Sequence, residues 1–572
     1  MPENKNNHLV LPCEHRQDVQ VRFNDGRVFS APAGTRLESF IRKAFPPPGV
    51  PVIGALVNGR IAELSEPLIA DVDAEPVSMA SEDGMRMYHR ALTLLLEVVT
   101  RELFHAHIAV DHSLTFGGLF FRVLNREPFN DKESAQIEDR MRVLVAANLP
   151  ITRETLPIAE VIANAEAQGD AAQVLLLKQT TRQEARVHVL CGVRHYFLGR
   201  MMAPSTGYLK HFQVQNCPPG FVLQFPRRNR PQALDPILHS PKITAVFREY
   251  GDWLATLGIS DAGALNQDIL EGHAREIVLV AEALHAQRIA EIAATLAARR
   301  ERARLVMIAG PSSSGKTTFA RRLTIQLLAN GVRPFPIGLD DYFLSREDTQ
   351  RDMNGEYDFE NLNALDLDLF NRQLVALTNG EPVTLPRYNF QTGTRETGPT
   401  AQLTPNHILL IEGIHGLTPN LVTQIAPERI FRIYVSALTQ MNLDRLNRVS
   451  TSDTRLMRRI VRDARTRGYA AAQTIARWAS VRQGEERNIF PYQEQADILF
   501  NSALTYEMSV LKPLAEPLLR QVEPGSPEYI EARRLLTFLE WFKPADATFV
   551  PEDSILREFI GGSVLADFVP HL

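Results

Sequence analysis

Gly310-Pro311-Ser312-Ser313-Ser314-Gly315-Lys316-Thr317 is the stretch that decides the fold of this chain. It fits the pattern G-x-x-x-x-G-K-[ST], in which the backbone N–H groups of a glycine-rich loop surround a phosphate. Residues 305–309 before it are apolar and predict a buried strand, and residues 318–328 carry apolar side chains at helical spacing. A strand, a loop and a helix in this order predict a site for a nucleoside triphosphate, since the helix N-terminus also favours an anion.

The loop residues have expected roles in binding ATP and Mg²⁺. Lys316 can reach the β- and γ-phosphates, and the Thr317 hydroxyl can ligate Mg²⁺. The residues expected to contact ATP are Gly310, Ser312, Ser313, Ser314, Gly315, Lys316, Thr317 and Thr318.

The bulk composition narrows the class of protein. The 572 residues have a net charge of −5, which argues against a nucleic acid as the main partner. The three cysteines, Cys13, Cys191 and Cys217, form no C-x-x-C pair and predict no disulfide framework. Residues 1–8 lack the apolar core of a signal peptide, and no run of 18 apolar residues predicts a membrane span. We expect a cytoplasmic protein.

Two further apolar stretches end in acidic residues. Residues 336–339 lead into Asp340 and Asp341, and residues 407–411 lead into Glu412. Ligands of parallel sheets bind beyond the carboxyl ends of the strands, so these carboxylates are expected beside the phosphate loop. Glu412 is expected in the Mg²⁺ shell. The fold class predicted for this half is α/β, a parallel sheet with helices on both faces.

An arginine-rich stretch follows further along the chain. Arg455, Arg458, Arg459 and Arg462 are spaced to lie on one flank of a helix. Such a flank is either solvated or forms a lid over the transferring phosphoryl group, whose charge guanidinium groups match. Beside a triphosphate site we favour the lid.

Together these blocks, about residues 305 to 510, resemble the uridine kinase and phosphoribulokinase family. The resemblance implies ATP-dependent phosphorylation of a small-molecule hydroxyl, with Asp340 as the catalytic base. It also implies that Lys316, Arg462 and Arg467 act on the phosphates, and that Arg459 binds substrate. Glu360 matches an acid that binds the sugar 2′ and 3′ hydroxyls, and Tyr388 matches a base-contacting tyrosine.

The sequence departs from that family at two positions that bear on the acceptor. Gly393 stands where uridine kinases carry a base-reading histidine, and Tyr469 stands where they carry another arginine. The expected acceptor is the 5′-hydroxyl of a ribonucleoside. Another sugar or polyol remains open, as does an ATP-binding regulator associated with RNA or tRNA through the N-terminal half. An oligomer is compatible with the sequence.

The N-terminal half resembles parts of threonyl-tRNA synthetase. Alternating strands and an intervening helix in residues 17–80 resemble its β-grasp TGS domain, and residues 81–235 resemble its α+β second additional domain, which edits tRNA. His89, Cys191 and His195 match three of that domain's four polar positions, whereas Thr93 replaces the second helical histidine. Three such ligands could hold Zn²⁺ with one open position. Because one ligand is missing, we expect no tightly bound zinc.

The remaining boundaries follow from composition. Residues 236–300 are predicted to be a helical connector, with one long helix from Ala262 to Arg300. Residues 301–510 are predicted to form the phosphate-loop domain, and residues 511–572 a C-terminal extension. Residues 540–572 contain no motif that predicts a function.

Overall fold

A five-stranded sheet forms the first part of the computed structural model, which describes residues 17–199, 202–238, 240–351, 355, 357–568 and 570. Cys13 and the N-terminal residues considered for a signal peptide lie outside this range. Its strands lie in the order β2 (Val28–Pro32), β1 (Asp18–Phe23), β5 (Val72–Ser78), β3 (Val52–Val57) and β4 (Arg60–Glu63), with antiparallel hairpins formed by β1 with β2 and by β3 with β4. Helix α1 (Leu37–Ala44) lies between β2 and β3 in the chain.

The next region packs a long helix, α2 (Glu82–Phe104), with two small antiparallel sheets. The Ser81 hydroxyl caps this helix by accepting the Gly84 N–H. The other elements are β6 (Ile108–Leu114), β7 (Gly118–Val123), α3 (Asp131–Ala146), β8 (Thr152–Pro157), α4 (Ile158–Ala167), α5 (Ala171–Lys178), β9 (Glu184–Leu190), β10 (Val193–His195), β11 (Gln213–Cys217) and β12 (Gly220–Gln224).

Three helices connect this region to the phosphate-loop half: α6 (Pro241–Thr256), α7 (Ala262–Leu270) and α8 (Ala274–Ala298). The prediction of one helix from Ala262 to Arg300 is therefore wrong at residues 271–273. Gly272 adopts a positive φ of 90° there, a conformation that ends a right-handed helix. The apolar periodicity continues on both sides of the break, which is why the sequence pattern alone missed it.

The central sheet has five parallel strands in the order β14-β17-β13-β18-β19. All five residues of β13 are buried, and the phosphate loop follows its carboxyl end. The elements are β13 (Leu305–Ala309), α9 (Lys316–Ala329), β14 (Arg333–Gly338), α10 (Leu367–Thr378), β15 (Val383–Asn389), β16 (Thr394–Ala401), β17 (His407–Glu412), β18 (Ile430–Ser436), α11 (Thr451–Arg467), α12 (Ala471–Asn488), β19 (Ile498–Asn501) and α13 (Glu507–Arg520).

The chain ends with two further helices, α14 (Tyr529–Leu539) and α15 (Arg557–Ile560). Helix α13 runs across the boundary predicted at residue 510. The residues on either side of that boundary share one buried core, which includes Leu511, Phe538 and Phe559. Among the described residues, no helix combines the length and apolar character needed to cross a membrane.

The loop between β18 and α11 docks the two halves of the molecule through a buried charge network. Arg445 donates two hydrogen bonds to the Glu97 carboxylate, at 2.9 and 2.8 Å, and one to Asp170 at 3.1 Å. Glu97 is 0% exposed and Arg445 is 7% exposed. Although burial alone would raise it, the pKa of Glu97 lies below its ordinary value because Arg445 stabilises the ionised form.

We expect Arg445→Ala to destabilise the protein strongly, because the substitution removes the guanidinium shared by two buried carboxylates: Glu97 keeps only Arg101, and Asp170 loses its ion pair. Breaking one partner of a buried pair costs about 3–5 kcal/mol. Urea unfolding monitored by circular dichroism measures the loss. The control is Lys178→Ala, which removes an exposed pair with Glu166 and should cost about 1 kcal/mol or less. Equal effects of the two changes would contradict the docking role of Arg445.

Candidate phosphate-binding and catalytic cleft

The phosphate loop lies between the carboxyl end of β13 and the start of α9. Lys316 is 9% exposed and donates to the Pro311 carbonyl at 3.2 Å. The hydroxyl oxygens of Ser313 and Ser314 are buried and have no partner within the described residues. This arrangement of donors around a concave loop is the one that binds phosphate.

Three carboxylates predicted from sequence lie close enough to Lys316 for its charge to lower their pKa values. Burial raises the pKa of Glu360 to about 7 and that of Glu412 to about 7, while Lys316 opposes both shifts. The Asp340 side chain is exposed to the cleft, yet desolvation by the surrounding protein raises the pKa of its carboxyl group above the ordinary value. Lys316 opposes this shift as well. The fold therefore brings Asp340, Glu360 and Glu412 together around one lysine.

The geometry around Thr317 fits a divalent cation. The Thr317 hydroxyl donates to a Glu412 carboxylate oxygen at 3.2 Å, so the two predicted ligand groups are adjacent. A hydroxyl and a carboxylate are hard oxygen ligands of the kind that Mg²⁺ prefers. A cation at this position would favour the ionised form of Glu412, whose pKa is otherwise raised.

The arginines of α11 divide into two sets. Arg459, Arg462 and Arg467 all contact Asp463, at 3.3, 2.9 and 3.5 Å, and Arg459 also donates to the Ser312 hydroxyl at 2.9 Å. Of the three, Arg459 thus contacts the phosphate loop directly.

Arg455 and Arg458 do not belong to a solvated or lid-like flank. They are 1% and 0% exposed and pair with Glu485 and Glu507, respectively. The prediction of one arginine flank is wrong for these two, because helical spacing gives the direction of a side chain but not what lies opposite it. Arg455 also donates to the Ser312 carbonyl at 3.0 Å, so it supports the phosphate loop from beneath.

The predicted base-contacting residue is covered. Tyr388 is 5% exposed, and Phe343 and Phe390 pack edge-on against its ring at 5.6 and 5.0 Å between centroids. At Gly393, a Cβ atom would lie 2.7 Å from Nε of Arg346. The arginine therefore lies against the position that a base-reading side chain would need.

A carboxylate that the sequence analysis missed, from α15, contacts the first turn of α9. Glu558 accepts hydrogen bonds from the Thr318 N–H at 3.2 Å and from the Thr318 hydroxyl at 2.9 Å. Ile555 of the same segment packs against Gly315, where a Cβ would come within 2.4 Å of its Cγ2. These Thr318 groups are among those expected to bind ATP, so Glu558 holds an anionic oxygen at the nucleotide site.

The four positions considered for zinc are not gathered into one cluster. Cys191 is exposed beside Glu102 and Arg140, whereas His195 is 1% exposed and lies near Asp170 and Arg445. Within the described ranges, the group with metal-ligand geometry is a different one, Asp268 with Glu271 and His273.

Comparison with known proteins agrees with the geometry of the cleft. The Phosphoribulokinase / Uridine kinase family matches residues 305–509, so this region is a P-loop kinase domain. The uridine kinase of Staphylococcus epidermidis is 28% identical over 34% of this chain and 86% of its own length. The uridine kinase of Ureaplasma urealyticum serovar 10 is 26% identical over 31% of this chain and 76% of its own. A solved structure of a possible uridine kinase from Bacillus stearothermophilus has a TM-score of 0.27 and 21% identity, covering 37% of this chain and 97% of that one.

We expect Glu558→Gln to tighten ATP binding, because the change removes a negative charge from the first turn of α9. Isothermal titration calorimetry with a non-hydrolysable ATP analogue measures the Kd, which should fall by about two- to fivefold, the scale of one charge near a helix N-terminus. Glu552→Gln, an exposed carboxylate of the same segment, is the control. Weaker binding in Glu558→Gln than in the control would contradict competition between Glu558 and the nucleotide.

The raised pKa of Glu412 predicts a pH-dependent stability of the nucleotide-free protein. Its folded pKa of about 7 exceeds the ordinary 4.5, so its contribution is fully present below about pH 4.5 and is lost as the pH rises through 7. We therefore expect Glu412→Gln to raise the Tm at pH 8 by about 2 °C or more. The advantage should shrink at pH 5. Thermal scans without Mg²⁺ check this, and a pH-independent difference, like that expected of exposed Glu428→Gln, would contradict it.

Proposed function

We propose that this chain transfers the γ-phosphoryl group of ATP to the 5′-hydroxyl of a ribonucleoside. The observation that carries the proposal is the convergence of Asp340, Glu360 and Glu412 on Lys316 beside the phosphate loop. A carboxylate placed to take a proton and another placed to bind hydroxyl groups suit an acceptor with several hydroxyls. The match of residues 305–509 to a kinase family supports the reaction class.

In the proposed reaction, the chain acts mainly by positioning and charge stabilisation. Asp340 accepts the proton of the acceptor hydroxyl as its oxygen attacks the γ-phosphorus. The bond between that phosphorus and the β–γ bridging oxygen breaks, and ADP leaves with the electron pair. Lys316, Arg462 and Arg467 stabilise the negative charge on the transferring group and on the leaving oxygen.

Thr317 and Glu412 would hold Mg²⁺, which when bound neutralises charge on the phosphates. Glu360 and Arg459 act on the acceptor side in this proposal. The pKa of Glu360 is raised to about 7 by burial, so a hydrogen bond from a ribose hydroxyl would favour its ionised form. We also propose that residues 17–80 form a TGS-like domain and residues 81–235 an editing-domain-like one. A cytoplasmic location belongs to the same proposal.

One observation favours a second acceptor class, another sugar or polyol. The covered ring of Tyr388 and the Arg346 side chain against Gly393 leave little surface for reading a base. A polyol needs only the hydroxyl-binding carboxylates, Asp340 and Glu360.

A coupled ADP-release assay across nucleosides, sugars and polyols tests the proposal. We expect acceptor-dependent ADP release with a ribonucleoside, and its loss in Lys316→Ala. Release with a non-nucleoside polyol alone would transfer the assignment to the second class. ATP binding without any acceptor-dependent turnover would favour a regulator over a kinase.

We expect Asp340→Asn to lower kcat by about 10²–10⁴-fold with ATP affinity retained, because the amide cannot take up the hydroxyl proton. Asp341→Asn is the matched control, since the Asp341 carboxylate accepts the Tyr388 N–H at 3.2 Å and an amide oxygen can do the same. Single-turnover kinetics and ATP titration separate the chemical step from binding. If Asp341→Asn lost most of its activity and Asp340→Asn lost little, the base would be Asp341 and not Asp340.

We expect the wild-type protein to prefer ribonucleosides over their 2′-deoxy forms, and Glu360→Gln to reduce this preference. A site that binds a hydroxyl leaves buried polar groups unpaired when the hydroxyl is missing. The measurement is the ratio of kcat/KM values for uridine, cytidine, adenosine and their deoxy counterparts. Glu347→Gln, an exposed change, is the control. Equal efficiency of the wild type on both sugar types would remove the role assigned to Glu360.

A further inference from the structure

A cavity of about 500 Å³ lies between the N-terminal region and the kinase domain. We call it the junction cavity. Its walls come from α2, the turn between β6 and β7, residues 225–228, α6, residues 434–455, the end of α12 and α14. Its volume is within the range of small-molecule sites, about 300–1,000 Å³. None of the residues to which the proposed reaction assigns a role lines it.

The junction cavity is rich in arginine. Eight arginines line it, against three acidic residues. Several of these arginines are satisfied by carboxylates, as in the pairs Arg534–Asp453 and Arg227–Glu486. Arg448 differs, because within the described residues it donates to two neutral groups, the Ser113 hydroxyl at 2.8 Å and the Thr439 carbonyl at 3.4 Å. Burial lowers the pKa of this arginine to about 10, as expected for a cation that lacks a close anion.

Three polar atoms of the lining are buried and have no hydrogen-bond partner within the described part of the chain. They are Nε2 of His89 and the Nε atoms of Arg448 and Arg455. Arg455 is itself 1% exposed. Native structures seldom leave such groups unpaired, and each costs about 1–3 kcal/mol. The two unpaired guanidinium N–H groups therefore indicate a ligand that accepts hydrogen bonds, and His89 Nε2 can donate or accept according to its tautomer.

The same walls present aromatic faces beside the charged groups. The His89 ring lies on Phe225 with 3.7 Å between centroids, and Phe247, Phe490 and Phe538 also line the cavity. Arginine forks match phosphate oxygens, and flat aromatic faces stack on bases. A free nucleotide carries both parts, a phosphate and a base, in one molecule of the right size.

From this combination we propose that the junction cavity is a second binding site for a free nucleotide, with Arg448 and Arg455 on the phosphate and His89 and Phe225 beside the base. The site does not depend on the reaction proposed for the cleft, because no catalytic side chain contributes to it. It does depend on both halves of the chain, since His89 lies in α2 and Arg448 lies in the loop that docks through Arg445.

The test measures nucleotide binding by the full chain with its phosphate loop saturated by a non-hydrolysable ATP analogue and Mg²⁺. Equilibrium dialysis uses labelled ribonucleoside mono- and triphosphates of the four bases, the free nucleosides and inorganic phosphate. We expect one additional nucleotide per chain, binding more tightly than inorganic phosphate and than the nucleoside alone.

Two variants from opposite walls identify the site. Arg448→Gln and His89→Leu should each weaken the additional binding, Arg448→Gln by about tenfold or more, the scale of a hydrogen bond to a charged group. Arg448 has no ion pair to lose within the described residues, so we expect its variant to keep the wild-type Tm. Arg186→Gln, an exposed arginine outside the cavity, should change nothing.

The proposal is overturned if the wild type binds no additional nucleotide, or if both cavity variants bind it as the wild type does. Loss of the additional binding in Glu360→Gln, but not in Arg448→Gln, would also overturn it, because the nucleotide would then occupy the acceptor side of the cleft. Free nucleosides that bind as tightly as the nucleotides, and lose that binding in His89→Leu, would exclude the assigned role of the arginines; nucleoside binding that His89→Leu does not change belongs to the acceptor side of the cleft.

Discussion

The positive field of the phosphate loop is the constraint on which the arrangement of this molecule depends. A loop and a helix start that expose N–H groups and a lysine need negative charge nearby. Glutamates from three distant parts of the chain meet this need: Glu412 on Thr317, Glu485 on the Ser312 N–H and Glu558 on Thr318. Each contacts a different residue of the loop or of the helix start, so the site is held in shape by acids that also set its charge.

Buried charges similarly join the kinase domain to the rest of the chain. Glu282 of α8 pairs with Arg322 of α9 at 3.2 Å and accepts the Tyr506 hydroxyl at 2.7 Å. It also accepts the hydroxyl of Ser554, close to the segment that reaches the phosphate loop. On the other side, Arg445 anchors the loop after β18 in the N-terminal region. Both networks require exact pairing, because a buried charge without its partner is costly.

The sequence predicts the parts of the site that short-range patterns encode. The phosphate loop, Asp340 after β14 and Glu412 at the end of β17 are each recognisable within a dozen residues. Glu558 contacts a residue 240 positions away, and no local pattern marks it. Arg455 and Arg459 show the same limit, since one is buried against Glu485 and the other faces the loop although both lie on α11. Which partner stands opposite a helix depends on tertiary packing, which periodicity does not contain.

Arg455 connects the junction cavity to the phosphate loop. It lines the junction cavity, pairs with Glu485 and donates to the Ser312 carbonyl, while Glu485 accepts the Ser312 N–H at 3.0 Å. Arg482, which also lines the junction cavity, holds the other Glu485 oxygen at 3.0 Å. An anion in the junction cavity would compete with Glu485 for these guanidinium groups, and Glu485 contacts the loop that is proposed to bind ATP. Because coupling between two sites is reciprocal, ATP in the cleft would change the affinity of the junction cavity by the same factor. The N-terminal region would thus act on the kinase domain through the two ion pairs of Glu485, without contributing a catalytic residue.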